Sequence, residues 1–130
     1  MSWPEIFIVF VVCHLVGDFL LQTDWQALHK TGGLGRNRES RRALISHTLT
    51  YTLAFVPALI WLATDIGAWA IGVAALVALP HMAQDDGRLL DAYMHKVKGL
   101  GNTAPSGLRL AIDQTCHIVV LFAIALLAGS

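Results

Sequence analysis

Pairs of polar side chains, each pair four residues apart, interrupt the long apolar segments of this sequence. The pairs are His14 and Asp18, His47 and Tyr51, His81 and Asp85, and Asp113 and His117. Residues four apart lie on one face of a helix, so each pair forms a short polar stripe. Helix bundles bind metal ions in their core through histidine and carboxylate side chains that project inward at such spacings. The four pairs therefore predict a metal centre at the place where four helices meet.

The residues expected to bind the metal are the acidic and imidazole members of these pairs: His14, Asp18, His47, His81, Asp85, Asp113 and His117. Oxygen and nitrogen donors without thiolates favour zinc, manganese or iron, and this many donors can hold one or two ions. Asp18 and Asp113 are also candidate general bases, because a carboxylate not fully engaged by metal can accept a proton from water. Gln22, Tyr51 and Gln114 are expected to hydrogen-bond the metal-binding side chains rather than the ion.

The composition indicates a membrane protein. Hydrophobic residues make up 55% of the 130 residues and charged residues only 14%, against about 25% charged in typical soluble domains. The mean hydropathy is +0.59. The formal net charge is zero, so no basic surface indicates nucleic-acid binding. We expect a single transmembrane domain over residues 1–130, with the lipid bilayer as its surroundings.

Four apolar segments are long enough to cross a bilayer, which takes about 20 helical residues. They are residues 3–21, 43–64, 66–83 and 108–127. The link between the second and third is too short for anything but a turn. The predicted fold class is therefore all-α, an integral membrane four-helix bundle.

The distribution of basic residues predicts the orientation. All nine lysines and arginines lie in or just after two long polar links, residues 22–42 and 84–107. By the positive-inside rule both links face the cytoplasm, which places both termini on the outer side. In the second link, Leu89, Leu90 and Tyr93 belong to an apolar stripe that predicts an amphipathic helix over residues 87–98 on the inner leaflet. A simple extension of the third span is the alternative.

These directions order the polar residues by depth. In the first and third spans the chain runs inward and the histidine precedes the aspartate, whereas in the outward-running fourth span Asp113 precedes His117. In each case the histidine lies one helical turn, about 5.4 Å, deeper in the membrane. The shallow layer comprises Asp18, His47, Asp85 and Asp113, and the deep layer His14, Tyr51, His81 and His117. Converging carboxylates repel one another unless a cation or protons intervene, which again favours a bound metal.

The sequence resembles the bacterial and phage membrane family called domain of unknown function 3307. The resemblance rests on His14-x3-Asp18-Phe19-x2-Gln22, Lys30, His47-x3-Tyr51, His81-x3-Asp85 and Asp113-Gln114-x2-His117. It covers nearly the whole chain and implies a multi-pass protein of the bacterial inner membrane, but it supplies no activity. A looser similarity is to small inner-membrane proteins described as metal-dependent hydrolases. Of Asp85 and Asp86, the first keeps the four-residue spacing from His81 and is the expected ligand.

The leading functional hypothesis is a metal-dependent hydrolase whose site opens to the cytoplasm. Basic residues near its mouth favour a phosphate-bearing lipid or nucleotide as substrate, although positive-inside topology alone also explains them. They are Lys30, Arg41, Arg42, Arg88 and Arg109. A metal or proton transporter or storage subunit is one alternative, but the outer halves of the spans are almost wholly apolar. A haem-binding electron-transfer bundle is another, and the aspartates beside the histidines argue against it. The four helices would be complete alone or as a homodimer.

Overall fold

The computed structural model describes residues 1–129, and its regular structure is entirely helical. Six α-helices follow one another along the chain. They are α1 (Trp3–Leu15), α2 (Asp24–His29), α3 (Arg38–Ile66), α4 (Trp69–Asp85), α5 (Arg88–Lys96) and α6 (Ser106–Ala128). A π-helical turn, Val16–Leu20, continues α1, and a 3₁₀ turn, Gly101–Thr103, precedes α6. The predicted all-α class is confirmed.

The four long helices form a ring in which each packs against two others: α1 against α3 and α6, and α4 against the same two. Their apolar side chains fill the half of the bundle that lies away from the polar pairs. This core comprises Ile6, Phe10, Tyr51, Phe55, Ala58, Leu62, Val73, Val77, Leu121, Ile124 and Ala125. Tyr51, which belongs to one of the polar pairs, lies at the boundary between the two halves.

Three helices are long and apolar enough to cross a membrane: α1 with its π turn, α3 and α6. They correspond to the predicted spans 3–21, 43–64 and 108–127. Many large apolar side chains on their outer faces are exposed, including Ile8, Leu53 and Val119. Soluble proteins rarely leave so much contiguous apolar surface uncovered. The outer faces therefore fit a lipid environment.

The predicted span 66–83 differs from the structure at both ends. Helix α3 continues through Ile66, and Gly67, with a φ of +59°, reverses the chain before α4 begins at Trp69. A positive φ suits glycine, which has no Cβ to clash with its own backbone. With 17 residues, α4 is about 26 Å long, slightly shorter than the ~30 Å hydrocarbon core of a bilayer.

The links between the long helices contain two short helices. Helix α5, Arg88–Lys96, lies within the range 87–98 for which a helix is predicted, and its position on the inner leaflet stays a prediction. Helix α2 lies inside the predicted polar link and was not expected. It begins at a capping box, in which the Thr23 side chain accepts a hydrogen bond from the Gln26 backbone N–H, and the Gln26 side chain accepts one from Thr23. Gln26 also donates to Ser46 Oγ and thereby fixes α2 to α3.

The π turn brings α1 unusually close to α3. A Cβ atom built on Gly17 would lie 2.6 Å from Tyr51 Cδ2 and 3.3 Å from Tyr51 Cα. Such a contact is shorter than van der Waals packing allows, so a side chain at position 17 must displace Tyr51 or separate the two helices.

We expect Gly17→Ala to destabilise the protein by about 1–3 kcal/mol, the usual range for overpacking a filled interior. Gly72→Ala is the matched control, because a Cβ there meets no atom within 4 Å and alanine favours a helix over glycine by roughly 1 kcal/mol. Thermal unfolding in detergent should show a lower Tm for the first variant and an equal or higher Tm for the second. Equal Tm values for both variants would contradict the close approach of α1 and α3.

Candidate metal centre

The four predicted polar pairs meet at one end of the bundle. They come from the end of α1 with its π turn, from the last turns of α4 and from the first half of α3 and of α6, because neighbouring helices run in opposite directions. The histidines, Asp18, Asp85 and Tyr51 are buried, and Asp113 is half-buried. The predicted convergence of these pairs is thus present among the described residues.

Four donor atoms form the tightest part of the cluster: Asp18 Oδ1, His47 Nε2, His81 Nε2 and Asp85 Oδ2, here called the inner group. His47 Nε2 lies 3.2 Å from the Asp18 atom and 2.9 Å from the Asp85 atom. His81 Nε2 lies 3.5 Å and 3.1 Å from the same two atoms. The two imidazole nitrogens are 3.1 Å apart.

These distances match the edges of a metal-centred tetrahedron. With metal–ligand bonds of about 2.0–2.1 Å, neighbouring ligand atoms lie about 3.3–3.4 Å apart. Moreover, Asp18 Oδ1 is buried and has no hydrogen-bond partner among the described residues, although His47 Nε2 is close to it. The Asp18 oxygen is thus close to an imidazole nitrogen without a hydrogen bond to it, which fits two donors that point to a common centre.

A second set of donors, the outer group, comprises Asp85, Asp113 and His117. His117 Nδ1 donates a hydrogen bond to the Asp113 backbone carbonyl at 2.8 Å, which leaves Nε2 as the unprotonated nitrogen of the neutral ring. His117 Nε2 is buried, lacks a hydrogen-bond partner in the described structure and lies 3.3 Å from Asp85 Oδ1. Asp85 therefore faces the inner group with one oxygen and the outer group with the other.

His14 belongs to neither group. Its Nδ1 lies 3.1 Å from Tyr51 Oη and its Nε2 lies 2.9 Å from Gln114 Oε1, so both ring nitrogens are engaged. The assignment of His14 as a ligand stays a prediction. Gln114 Nε2 in turn donates to Asp18 Oδ2 at 3.3 Å, so His14 supports the inner group through Gln114.

Tyr51 packs against His81, a member of the inner group. Its ring stacks on that of His81, with centroids 3.4 Å apart and planes 5° from parallel. The Nδ1 atoms of His47 and His81 have no hydrogen-bond partner among residues 1–129, so packing against Tyr51 fixes the orientation of His81. Gln22, predicted to hydrogen-bond a ligand, has a buried Oε1 for which the described chain provides no partner.

The donor atoms do not group into the two predicted layers. His81, assigned to the deep layer, reaches the inner group together with the shallow Asp18, His47 and Asp85. Its side chain extends towards Asp85, one turn away on the same helix, until the two atoms are 3.1 Å apart. Backbone depth alone therefore does not determine which side chains meet.

Lys30 supplies a positive charge to the cluster. Its Nζ lies 2.7 Å from Asp85 Oδ2, and both side chains are largely buried. The sequence places Lys30 in a polar link, and the contact arises because α2 and the following turn fold back over the ends of α3 and α4. The spacing of the polar pairs does not predict the contact between Lys30 and Asp85. The capping box at Thr23 could have predicted α2, the helix that precedes Lys30.

Asp85 and Asp86 have different roles in the structure. The Asp86 carboxylate accepts a hydrogen bond from the Leu34 backbone N–H at 2.7 Å and pairs with Arg88 Nε at 3.0 Å. The Asp86 backbone carbonyl accepts another from Gly32. Asp86 therefore holds the turn after α2 against the end of α4, while Asp85 contributes to both donor groups.

A cavity of about 260 Å³ lies beside the outer group. Asp85 and Asp113 form part of its wall, and Lys30 and Arg109 provide two cationic side chains. Solutes can therefore reach the outer group from this cavity. Of the inner group, Asp85 borders the cavity, whereas Asp18, His47 and His81 are buried and do not line it.

Comparison with known families gives one match. The model of a family described as "Protein of unknown function (DUF3307)" matches residues 6–130. No curated protein and no solved structure matches the chain.

Proposed function

The chain belongs to the family described as Protein of unknown function (DUF3307), which assigns no activity, and from the site itself we propose that it is a metal-dependent hydrolase embedded in a membrane. The observation that carries the proposal is the convergence of two imidazole nitrogens and two carboxylate oxygens at 2.9–3.5 Å in a buried space. Zinc, manganese and iron all accept such nitrogen and oxygen donors.

Charge supports a divalent ion. The inner group contains two buried carboxylates, Asp18 and Asp85, and the nearby Lys30 neutralises only one of them. Buried carboxylates in a bilayer need partners, because each unpaired charge at the centre of a membrane helix costs about 2.5–3.5 kcal/mol on insertion scales. A divalent cation would balance both carboxylates and satisfy the unpartnered Asp18 oxygen.

The membrane arrangement that we propose has four crossings, with both termini on the outer side of a bacterial inner membrane. Helix α4, with 17 residues, is slightly short for a bilayer, but it completes the ring between α3 and α6, and its outward-facing Trp69, Ile71 and Leu79 are exposed and apolar. The two long links with their lysines and arginines then lie on the cytoplasmic side, as the positive-inside rule requires. The donor cluster opens to that side.

Hydrolysis is supported by the different positions of the two donor groups relative to the cavity. A divalent ion supplies a Lewis acid for a phosphoryl oxygen and lowers the pKa of bound water to about 7. Asp113 borders the cavity and is only half-buried, so it is the better placed of the two candidate bases. Asp18 is enclosed in the inner group, where its oxygens face His47 and Gln114.

A structural or storage metal site is the second candidate. The inner group provides four protein donors, and closed four-ligand sites are typical of structural zinc. Transport fits less well, because the buried core on the far side of the cluster is formed by apolar residues such as Phe10, Phe55 and Leu62. Haem fits less well, because two carboxylates lie within 3.5 Å of the paired nitrogens of His47 and His81.

Elemental analysis of detergent-purified protein should find at least one transition-metal ion per chain. We expect His81→Ala and His47→Ala to lose most of it, because each variant removes one of four donors and leaves a buried carboxylate without its neighbour. His95→Ala is the control, since His95 is exposed on α5 and should leave the metal content unchanged. Full stability without any bound ion would end the proposal.

Asp113→Asn should separate catalysis from metal binding. The amide keeps the shape of the side chain but cannot accept a proton, so we expect kcat for a phosphate ester to fall at least 100-fold, as for loss of a general base. The inner-group metal should remain, because Asp113 is not one of its donors. Stoichiometric metal without turnover of any phosphate ester, carboxylic ester or amide by the unaltered protein would favour the storage or structural site.

Lys30→Met should strengthen metal binding. The ammonium group contacts the same Asp85 oxygen that belongs to the inner group, and a cation there opposes a second cation nearby. We expect roughly a tenfold lower Kd for zinc, which corresponds to about 1.4 kcal/mol, in competition with a chromogenic chelator. Lys96→Met, at the end of α5, is the charge-matched control and should leave the Kd unchanged. A higher Kd for Lys30→Met would show that Lys30 assists the ion instead.

A further inference from the structure

We propose that the substrate is a phosphate-bearing lipid, whose headgroup enters the cavity beside Asp113 and whose acyl chain lies in an adjoining groove between α5 and the ends of α4 and α6. This inference rests on the proposed hydrolase function and assigns the substrate class of the same site. Its basis is the arrangement of two cavities that differ in chemistry and share part of one wall.

The first cavity has the features of a phosphate pocket. Lys30 and Arg109 are its cationic side chains, and Thr31 and Ser106 contribute hydroxyl groups. The Arg109 guanidinium also pairs with Asp91, which holds it at the rim. Arginine and lysine with hydroxyl donors are the usual partners of phosphate oxygens. The pocket therefore favours an anionic group directly beside the outer donors Asp85 and Asp113.

The second cavity, of about 250 Å³, is largely apolar and is here called the groove. The groove and the phosphate pocket share three lining residues: Gln84, Leu90 and Asp113. The groove is lined in addition by Leu89, Tyr93 and Cys116, which do not border the phosphate pocket. A single molecule that extends past Leu90 would therefore place one end near the cations and the other against apolar side chains.

The surface around the groove fits lipid. Leu89, Tyr93 and Val97 follow one another at four-residue intervals along and just past α5, and all three are exposed, whereas Met94 on the other face is fully buried. An exposed apolar stripe on a short helix beside a bundle of apolar helices is typical of an element that lies in the membrane interface. Lipid can therefore enter the groove sideways from the leaflet.

A cationic pocket beside an apolar groove favours an amphiphile over a nucleotide as the substrate. A nucleotide would have to place its ribose and base, with their hydrogen-bonding groups, against Leu89, Leu90 and Cys116. Burying such groups without partners is unfavourable, whereas each buried methylene of an acyl chain contributes about 0.8 kcal/mol. In the reaction, water would add to phosphorus and give a proton to the Asp113 carboxylate. The bond from phosphorus to the lipid oxygen would break, and that oxygen would take up a proton, returned by Asp113, to leave as the alcohol.

The test compares phosphatidic acid in detergent micelles with water-soluble glycerol 3-phosphate, using the zinc- or manganese-loaded protein and release of inorganic phosphate. We expect kcat/KM to be at least 100-fold higher for phosphatidic acid. Cys116→Trp, which fills the groove, should lower that preference at least tenfold, and Leu89→Asp should do the same from the opposite wall. Val119→Trp is the matched control, because Val119 is exposed one turn further along α6 and is not a lining residue of either cavity.

Binding is measured separately, by native mass spectrometry of the unaltered protein and the variants with phosphatidic acid and with diacylglycerol. Retention of phosphatidic acid over diacylglycerol, reduced by Cys116→Trp but not by Val119→Trp, supports a phosphate-bearing lipid as the molecule that occupies the two cavities. If no ester is then hydrolysed, the hydrolase proposal fails and the lipid is a ligand rather than a substrate. Equal turnover of both phosphate esters without an effect of the groove variants overturns the inference and leaves the hydrolase proposal intact. Absence of both selective binding and selective turnover also overturns it.

Discussion

The carboxylate of Asp85 is the group through which the whole polar cluster is connected. One of its oxygens lies within 3.1 Å of Lys30, His47 and His81, and the other lies 3.3 Å from His117. These partners come from α3, α4, α6 and the link after α2, so the position of one buried charge depends on four parts of the chain. A buried carboxylate is tolerated only while such partners surround it. The turn held by Asp86, the stack of Tyr51 on His81 and the hydrogen bond within α6 all serve to keep those partners in place.

The two ends of the bundle differ in the polarity of their buried side chains. At one end apolar side chains from all four long helices pack without an interruption by charge, and at the other end the same helices contribute histidine and aspartate. Because α1 with its π turn and α4 contribute their last turns and α3 and α6 their earlier ones, antiparallel packing brings these residues to one level. In the membrane arrangement proposed above, the apolar end would lie in lipid and close the site on that side. The polar end is then open only through the links, which contain the basic residues and the two cavities.

Much of this arrangement could be predicted from the sequence, because four-residue spacing and apolar length are local properties of a helix. The all-α class, three of the long helices, α5 and the convergence of the polar pairs follow from them. The remainder depends on contacts between distant segments. The π turn at Val16–Leu20 changes the rotation of Asp18 relative to His14, which a regular 3.6-residue period cannot anticipate. His14 hydrogen-bonds with Tyr51 and Gln114 on other helices, and Lys30 reaches Asp85 because α2 folds back over the bundle.

Lys30 lies between the proposed metal site and the proposed phosphate pocket. Its ammonium group contacts Asp85 in the inner group and at the same time forms part of the wall of the phosphate pocket. Without a divalent ion, the charge of Lys30 is paired with Asp85, one of the two buried carboxylates. An ion bound among Asp18, His47, His81 and Asp85 would neutralise those carboxylates and leave the Lys30 charge uncompensated. An anionic headgroup is the group that would restore neutrality, so occupation of the inner group and binding of a phosphate in the cavity should favour each other.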